Sequence, residues 1–190
     1  DMIMKAIERE TFNALGGKKA EIIAKMNSLV ENQVIRALYR ASQAGVKITL
    51  IVRGACALRP QLPGISDNIT VKSVVGRFLE HHRVFYFYDS GNEDVFIASA
   101  DWMKRNFFKR VETCIPILNS RIKRRVIDES LKLYIQDNVN SWQMDADGNY
   151  HKVAIVGKRV AAQDFLMSKL GRAVFKESLA SKLTEQVANL

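Results

Sequence analysis

The stretch "AEIIAKMNSLVENQVIRALYRASQAGVKITLIVR", Ala20 to Arg53, decides the fold. Its first segment, "AEIIAKM", reads as a short apolar strand. The next, "ENQVIRALYRASQAGV", sets Val34, Ile35, Leu38 and Ala41 on one helical face and stops at Gly45, a natural helix C-cap. "KITLIVR" follows as a continuous apolar run that ends at Arg53. Strand, helix and strand joined by short connections make a βαβ unit, so the pattern predicts a parallel pair inside an α/β sheet.

Elements on either side extend that unit. Upstream, Ile3, Ile7 and Ala14 space a helix that Gly16-Gly17 ends. The chain opens on Asp1 and not on an initiator Met, so a fragment of a longer polypeptide is expected. Downstream, the Gly/Pro loop "GACALRPQLPGISDN" precedes two strands, "ITVKSVV" and "RVFYFY"; "DSGNED" is a hairpin turn and "VFIAS" the returning strand. "VETCIPIL" reads as a further strand. "SRIKRRVIDESLKLYIQDN" reads as a helix with Ile122, Val126 and Leu133 inward, "DADGNY" as a turn, and the tail from Arg159 as helical. One main unit is the expectation for 190 residues.

Composition adds a bias toward anionic partners. The net charge is +9 and the sequence pI about 9.7. From Lys104 to Arg125, eight Lys or Arg residues face one acid, Glu112. Such a run is either a solvated helix face or a phosphate-facing surface, and charge alone does not separate the two. Cys56 and Cys114 are too few and too distant for a disulfide scaffold or a zinc site, which favours a reducing, cytoplasmic setting. Apolar runs such as "ITLIV" fall far short of the roughly 20 residues that a membrane span needs.

Phosphate motifs of the P-loop and dinucleotide types are absent. What remains is "GRFLEHHRVFYF", Gly76 to Phe87, where His81, His82 and Arg83 open an apolar strand. His81 and Arg83 are two apart, so in an extended chain they share a face. An imidazole can pass a proton near neutral pH or attack phosphorus, and a neighbouring guanidinium neutralises phosphate oxygens through a planar fork. A structural histidine is the competing reading. "IASADW", about sixteen residues on, strengthens the functional one with a small-Ser-small-polar turn leaving a strand. Arg53 ends a buried parallel strand at its carboxyl edge, where open α/β sheets place ligands, and a surface salt bridge is its alternative. Arg59, Lys104, Arg105 and Arg110 are possible secondary phosphate contacts, and Lys25 and Asn27 also end a strand, as ligands or as packing and cap residues.

His-x-basic followed by Ser-x-polar resembles the active-site half of the phospholipase D superfamily, with Arg83 where lysine is usual and Asp101 where asparagine is common. Closer still is the resemblance to the long polyphosphate kinases. "IIAKMNSLVENQVIRALYRASQAGVKITLIVRG", "LPGISDNITVKSVVGRFLEHHRVFYF" and "ASADWMKRN" are similar to that family's blocks, in order, from Ile22 to about Ile117. Ala55, in "RGAC", departs from the larger apolar residue usual there.

The resemblance implies a C-terminal, phospholipase D-like α/β domain over residues 1–156, a mixed sheet flanked by helices, with 157–190 as its helical extension. It implies reversible transfer of the terminal phosphate of ATP to inorganic polyphosphate, with Mg2+, through a phosphohistidine in a preceding phospholipase D-like domain of the same polypeptide. On that basis the isolated chain is expected to be inactive. The arginine of the family's "VRG" falls on Arg53, and the histidine of its "LEH" on His81; His82 takes the more variable place beyond. Arg53, His81 and Arg83 are therefore the expected ATP- and phosphate-binding set, His81 the catalytic group, and the metal ligands are expected outside this chain. ATP or ADP and polyphosphate are the expected partners, with homo-oligomerisation of the whole enzyme and no nucleic acid. The setting is cytoplasmic, with room for peripheral membrane association. Two alternatives stand beside this: a phosphodiesterase or nuclease half-site, and a basic module that only binds polyanions.

Overall fold

The computed structural model describes residues 2–171, apart from the side chain of Phe108. Helix α1, Met2–Leu15, leads into strand β1, Glu21–Met26; helix α2, Asn32–Gln43, returns the chain to β2, Lys47–Val52. The expected βαβ unit is present, with β1 and β2 parallel from Glu21↔Lys47 to Met26↔Val52. Gly45 closes α2 at φ +99°, a left-handed value costly for any residue with a Cβ. A long loop reaches β3, Ile69–Val74, which adds parallel to β2.

The chain then reverses direction. β4, Arg83–Phe87, runs antiparallel to β1, and β5, Asp94–Ala98, pairs back on β4 through the turn read as "DSGNED", where Asp89, Ser90, Gly91 and Glu93 take positive φ. After helix α3, Lys104–Phe108, comes β6, which is only Cys114–Pro116, shorter than "VETCIPIL". Helix α4, Ser120–Val126, passes through a π-helical segment, Ile127–Lys132, into α5, Leu133–Gln136. Two strands that the sequence pattern does not announce, β7 (Ser141–Met144) and β8 (Tyr150–Lys152), flank the "DADGNY" turn. The result is one mixed eight-stranded sheet in the order β6-β5-β4-β1-β2-β3-β7-β8. This is the expected mixed sheet flanked by helices.

Both faces of its centre are covered, which is why β1 and β2 read as continuous apolar runs. On one face Ile22, Ala24, Met26, Leu50 and Val52 pack with Ile3 and Ile7 of α1 and Val34 and Leu38 of α2. On the other, Ile23, Val84, Tyr86 and Val95 meet Ile127 and Leu131, while Ile51 and Val74 meet Tyr134 and Ala162. Each of the Val, Leu, Ile and Met side chains among them contributes about 1.5–3 kcal/mol on burial. Ile122, expected inward, is half exposed; Val126 and Leu133 pack only at the margin of these clusters.

The expected helical tail starts as expected, since residues 162–171 are helical. Its entry is fastened to the body: Asn138 N–H donates to Val160 O at 3.0 Å, and Ala162 N–H donates to Asp137 Oδ2 at 2.7 Å. The remainder of the expected tail lies outside the described residues.

Candidate active site at the carboxyl edge of the sheet

Strand direction decides which residues meet. β1, β2 and β3 all point their carboxyl ends to one edge, and antiparallel β4 begins there. The register pairs Met26 with Val52 and Lys25 with Val84, so one step further Asn27 and Arg53 lie side by side, next to His82. Four segments far apart in sequence, around 27, 53, 81 and 101, are thereby brought together.

Arg53 is half-buried and donates through Nε to Asn27 Oδ1 at 3.1 Å. Its two terminal nitrogens take no partner among the described residues, leaving the outer side of the guanidinium fork open. Gly54 follows because the chain passes so close to β1 that a Cβ there would stand 3.0 Å from Asn27 O, an oxygen that already accepts Gly54 N–H at 2.8 Å.

His81 lies just before β4, exposed, and its imidazole takes no hydrogen bond among the described residues. Its main chain, by contrast, is held. Arg83 Nη1 donates to His81 O at 2.7 Å, while Arg83 Nε and Nη2 each reach a different oxygen of Asp101 at 3.1 Å. Asp101 Oδ1 also accepts Asn27 N–H at 2.7 Å. Burial alone would raise the Asp101 carboxyl, but the Arg83 bonds and the backbone N–H donors outweigh it and hold it below the usual carboxylate range. Arg83 is thus committed to a carboxylate and to the His81 carbonyl.

His82, in the segment that leads into β4, turns its Nε2 onto Lys25. Lys25 is 5% exposed, and its ammonium forms an ion pair with Glu80, donates to His82 Nε2 at 2.8 Å and sits 3.3 Å from the centre of the Tyr134 ring. Tyr134 Oη donates to Glu80 Oε2's partner oxygen, Oε1, which also accepts Gln163 Nε2 at 3.0 Å. Burial, reinforced by Arg53, lowers Lys25 to about 8 despite Glu80. His82 is exposed as a residue, but its Nε2 meets the buried Lys25 ammonium, and desolvation of the ring on that side, with the Lys25 charge, lowers it to about 4. Glu80 is held low, since Lys25 and Tyr134 overcome the effect of burial. The sequence singled out Lys25 only as a strand-end ligand or packing residue and His82 as a variable position; that the two join with Glu80 and Tyr134 was not legible in it.

The remaining candidates divide. Helix α3 leaves from the same edge, because Trp102 N–H donates to Ser28 O at 3.1 Å and Asn106 Nδ2 to Asp101 O at 2.9 Å; its Lys104 and Arg105, and Arg110 beyond, are exposed without an ion pair among the described residues. Arg59 is turned to the β7–β8 hairpin, bonded to Ala146 O and Asp147. His151 pairs with Asp145 in that hairpin. Cys56 and Cys114 are free thiols that burial pushes up. Among the described residues no group of three or more His, Cys, Asp or Glu could hold a metal ion, and no helix is long and apolar enough to cross a membrane.

The family profile described as "Polyphosphate kinase C-terminal domain 2" matches residues 1–163. Curated polyphosphate kinases of Paraburkholderia phytofirmans and Burkholderia cenocepacia are 59% and 58% identical over 150 residues, 79% of this chain. The chain spans only about a fifth of their length, since the match covers 22% of each. The crystal structure of polyphosphate kinase from Porphyromonas gingivalis superposes with a TM-score of 0.85 at 42% identity, covering 90% of this chain and 26% of that one. NucT from Helicobacter pylori is more remote, at 13% identity and a TM-score of 0.47 over 66% of this chain and 85% of that one. A match of this extent, falling on the same segments that meet at the carboxyl edge, places the chain in the polyphosphate kinase family, as its C-terminal domain 2.

Proposed function

We propose that this domain forms one wall of a phosphoryl-transfer cleft in a polyphosphate kinase, which moves the terminal phosphate of ATP onto inorganic polyphosphate and back. The observation that carries the reading is the presence, at one sheet edge, of both a half-buried guanidinium whose outer nitrogens have no partner among the described residues and an exposed imidazole whose main chain is fixed. Phosphoryl transfer asks a protein mainly for positioning and charge stabilisation, and those two groups offer both.

In this reading Arg53, steadied by Asn27, takes two phosphate oxygens on its open fork. His81 passes a proton to or from the oxygen that leaves or attacks phosphorus. Arg83 adds positive charge beside them while its Nη1 holds the His81 carbonyl. The group that becomes covalently phosphorylated is a histidine of the preceding phospholipase D-like domain. Mg2+ would neutralise phosphate charge from ligands on other parts of the polypeptide. The chain alone is then inactive, and the cytoplasmic setting and homo-oligomeric assembly expected from the sequence belong to the whole enzyme.

His81→Ala in the full-length enzyme tests this. Turnover should fall by roughly 10²–10⁴-fold, as for loss of a general acid or base. The phosphohistidine of the other domain should still form, and mass spectrometry under conditions that preserve it reads both. Stoichiometric phosphate on the peptide bearing His81 would reverse the assignment and make this half the nucleophilic one.

A further inference from the structure

We propose that Lys25 is a positioning residue that sets the direction of the His81 imidazole through the two residues on either side of it, Glu80 and His82. This rests on the catalytic role assigned above to His81.

Lys25 is not itself a ligand for phosphate, because its three N–H donors are already directed: one to Glu80, one to His82 Nε2 and one at the face of the Tyr134 ring. With Nε2 accepting from an ammonium, the His82 proton sits on Nδ1 and the ring is neutral. One amine therefore grips residue 80 by its carboxylate and residue 82 by its ring. His81 lies between them, exposed and without a side-chain hydrogen bond among the described residues. Its carbonyl is held by Arg83, which Asp101 anchors. The segment leading in is fixed too: Gln163, 4% exposed, accepts Phe78 N–H at 2.8 Å, donates to Phe78 O at 2.9 Å and donates to Glu80 at 3.0 Å. Among the described residues His81 is thus a side chain without a hydrogen bond on a backbone held at residue 80, at residue 82 and at its own carbonyl. That arrangement removes rotational freedom from a group that must be aligned with a reacting oxygen, and misplacement of such a group by about 1 Å can cost on the order of 10²-fold.

The groups facing the ammonium come from every neighbouring element: Glu80 and His82 from the loop, Tyr134 from α5, and Arg53 from β2. Among them, only the bonds to Glu80 and His82 connect it to His81.

The test uses the full-length enzyme, with Lys25→Met, His82→Leu and His82→Gln, each alone and combined with His81→Ala. Gln places an acceptor oxygen near the Nε2 position and Leu places none. Lys25→Met and His82→Leu should each lower kcat by roughly 10–100-fold and shift ATP affinity, measured by direct binding, by less than about threefold. His82→Gln should recover most of the rate. In the His81→Ala background the same substitutions should change kcat by less than about twofold, because their effect runs through a ring no longer there. Full additivity in that background overturns the proposal, as does a His82→Gln enzyme as slow as His82→Leu. If Lys25→Met does not fold, as judged by its thermal transition, the two His82 variants decide the matter alone. Failure of the underlying reading has a different signature, a His81→Ala enzyme with wild-type turnover.

Discussion

Replacing Asp101 by asparagine removes one charge and leaves the shape almost unchanged, so it isolates the ion pair that holds β4 to the loop after β5. Asp101 is 7% exposed and accepts two bonds from Arg83 at 3.1 Å and one from Asn27 N–H at 2.7 Å, with the Ser28 N–H also stabilising its charge. Asparagine keeps one acceptor oxygen and turns an NH2 group toward the remaining donor. Losing one charge-assisted bond costs about 1.5–3 kcal/mol. Stranding a fully buried partner costs about 3–5 kcal/mol. The Arg83 side chain keeps 18% exposure and the His81 carbonyl still accepts its Nη1, so about 2–4 kcal/mol is expected. With a urea m-value of about 2 kcal/mol/M, the unfolding midpoint should fall by about 1–2 M.

Trp102, 1% exposed and adjacent in sequence, is a built-in fluorescence probe, to be read beside far-ultraviolet circular dichroism. The pH dependence has a fixed sign. The folded carboxyl of Asp101 is depressed, so its contribution is complete above the unfolded value and disappears as pH falls through the lower folded one. The mutant should lack that part of the acid limb. A midpoint shift below about 0.3 M, or a cycle with Arg83→Gln whose coupling is under about 0.5 kcal/mol, refutes this account of the edge.

Two further outcomes follow from the same edge. Arg53→Lys in the complete enzyme keeps the charge but loses both the planar fork and the Asn27 bond, so ATP binding should weaken by roughly 10–100-fold, about 1–3 kcal/mol; unchanged affinity by calorimetry makes Arg53 a bystander. Gly76→Ala drives a Cβ to 2.4 Å from Gln163 Oε1, and the buried amide can yield only by giving up its bonds to Phe78 and Glu80, a loss of about 2–4 kcal/mol in urea unfolding; a stability within 0.5 kcal/mol, roughly the scatter of neutral substitutions, excludes that role for Gln163.

How far the sequence revealed this domain depends on which physical signal each element carries. β1, α2 and β2 were legible because a doubly covered strand is apolar throughout and Gly45 marks the helix end. β7 and β8 were not, since "SWQM" and "YHK" are short and mostly polar, and only the turn between them has distinctive chemistry. The long helix was found, but its phase was not. A regular 3.6-residue period from Ile122 does not carry through a π segment, and the inward stripe is Ile127, Leu131 and Tyr134. Arg53 and His81 could be picked out as candidates because one directly follows β2 and the other lies just before β4. The partners that fix them were not. Asp101 lies 18 residues from Arg83, and Tyr134 lies 109 from Lys25, so those contacts exist only once the sheet order is known.

The sheet's two margins also bear on how the domain behaves in a crowded solution. Each ends in a strand of three residues, Cys114–Pro116 and Tyr150–Lys152. An open edge is a row of unpaired N–H and C=O groups on which a stray strand can assemble. At one margin Pro116 contributes no N–H, although Ile115 is half exposed; at the other, His151 and Lys152 are solvated and Lys152 carries charge. Strands this short offer few free main-chain groups, so both ends of the eight-stranded sheet discourage edge-to-edge growth.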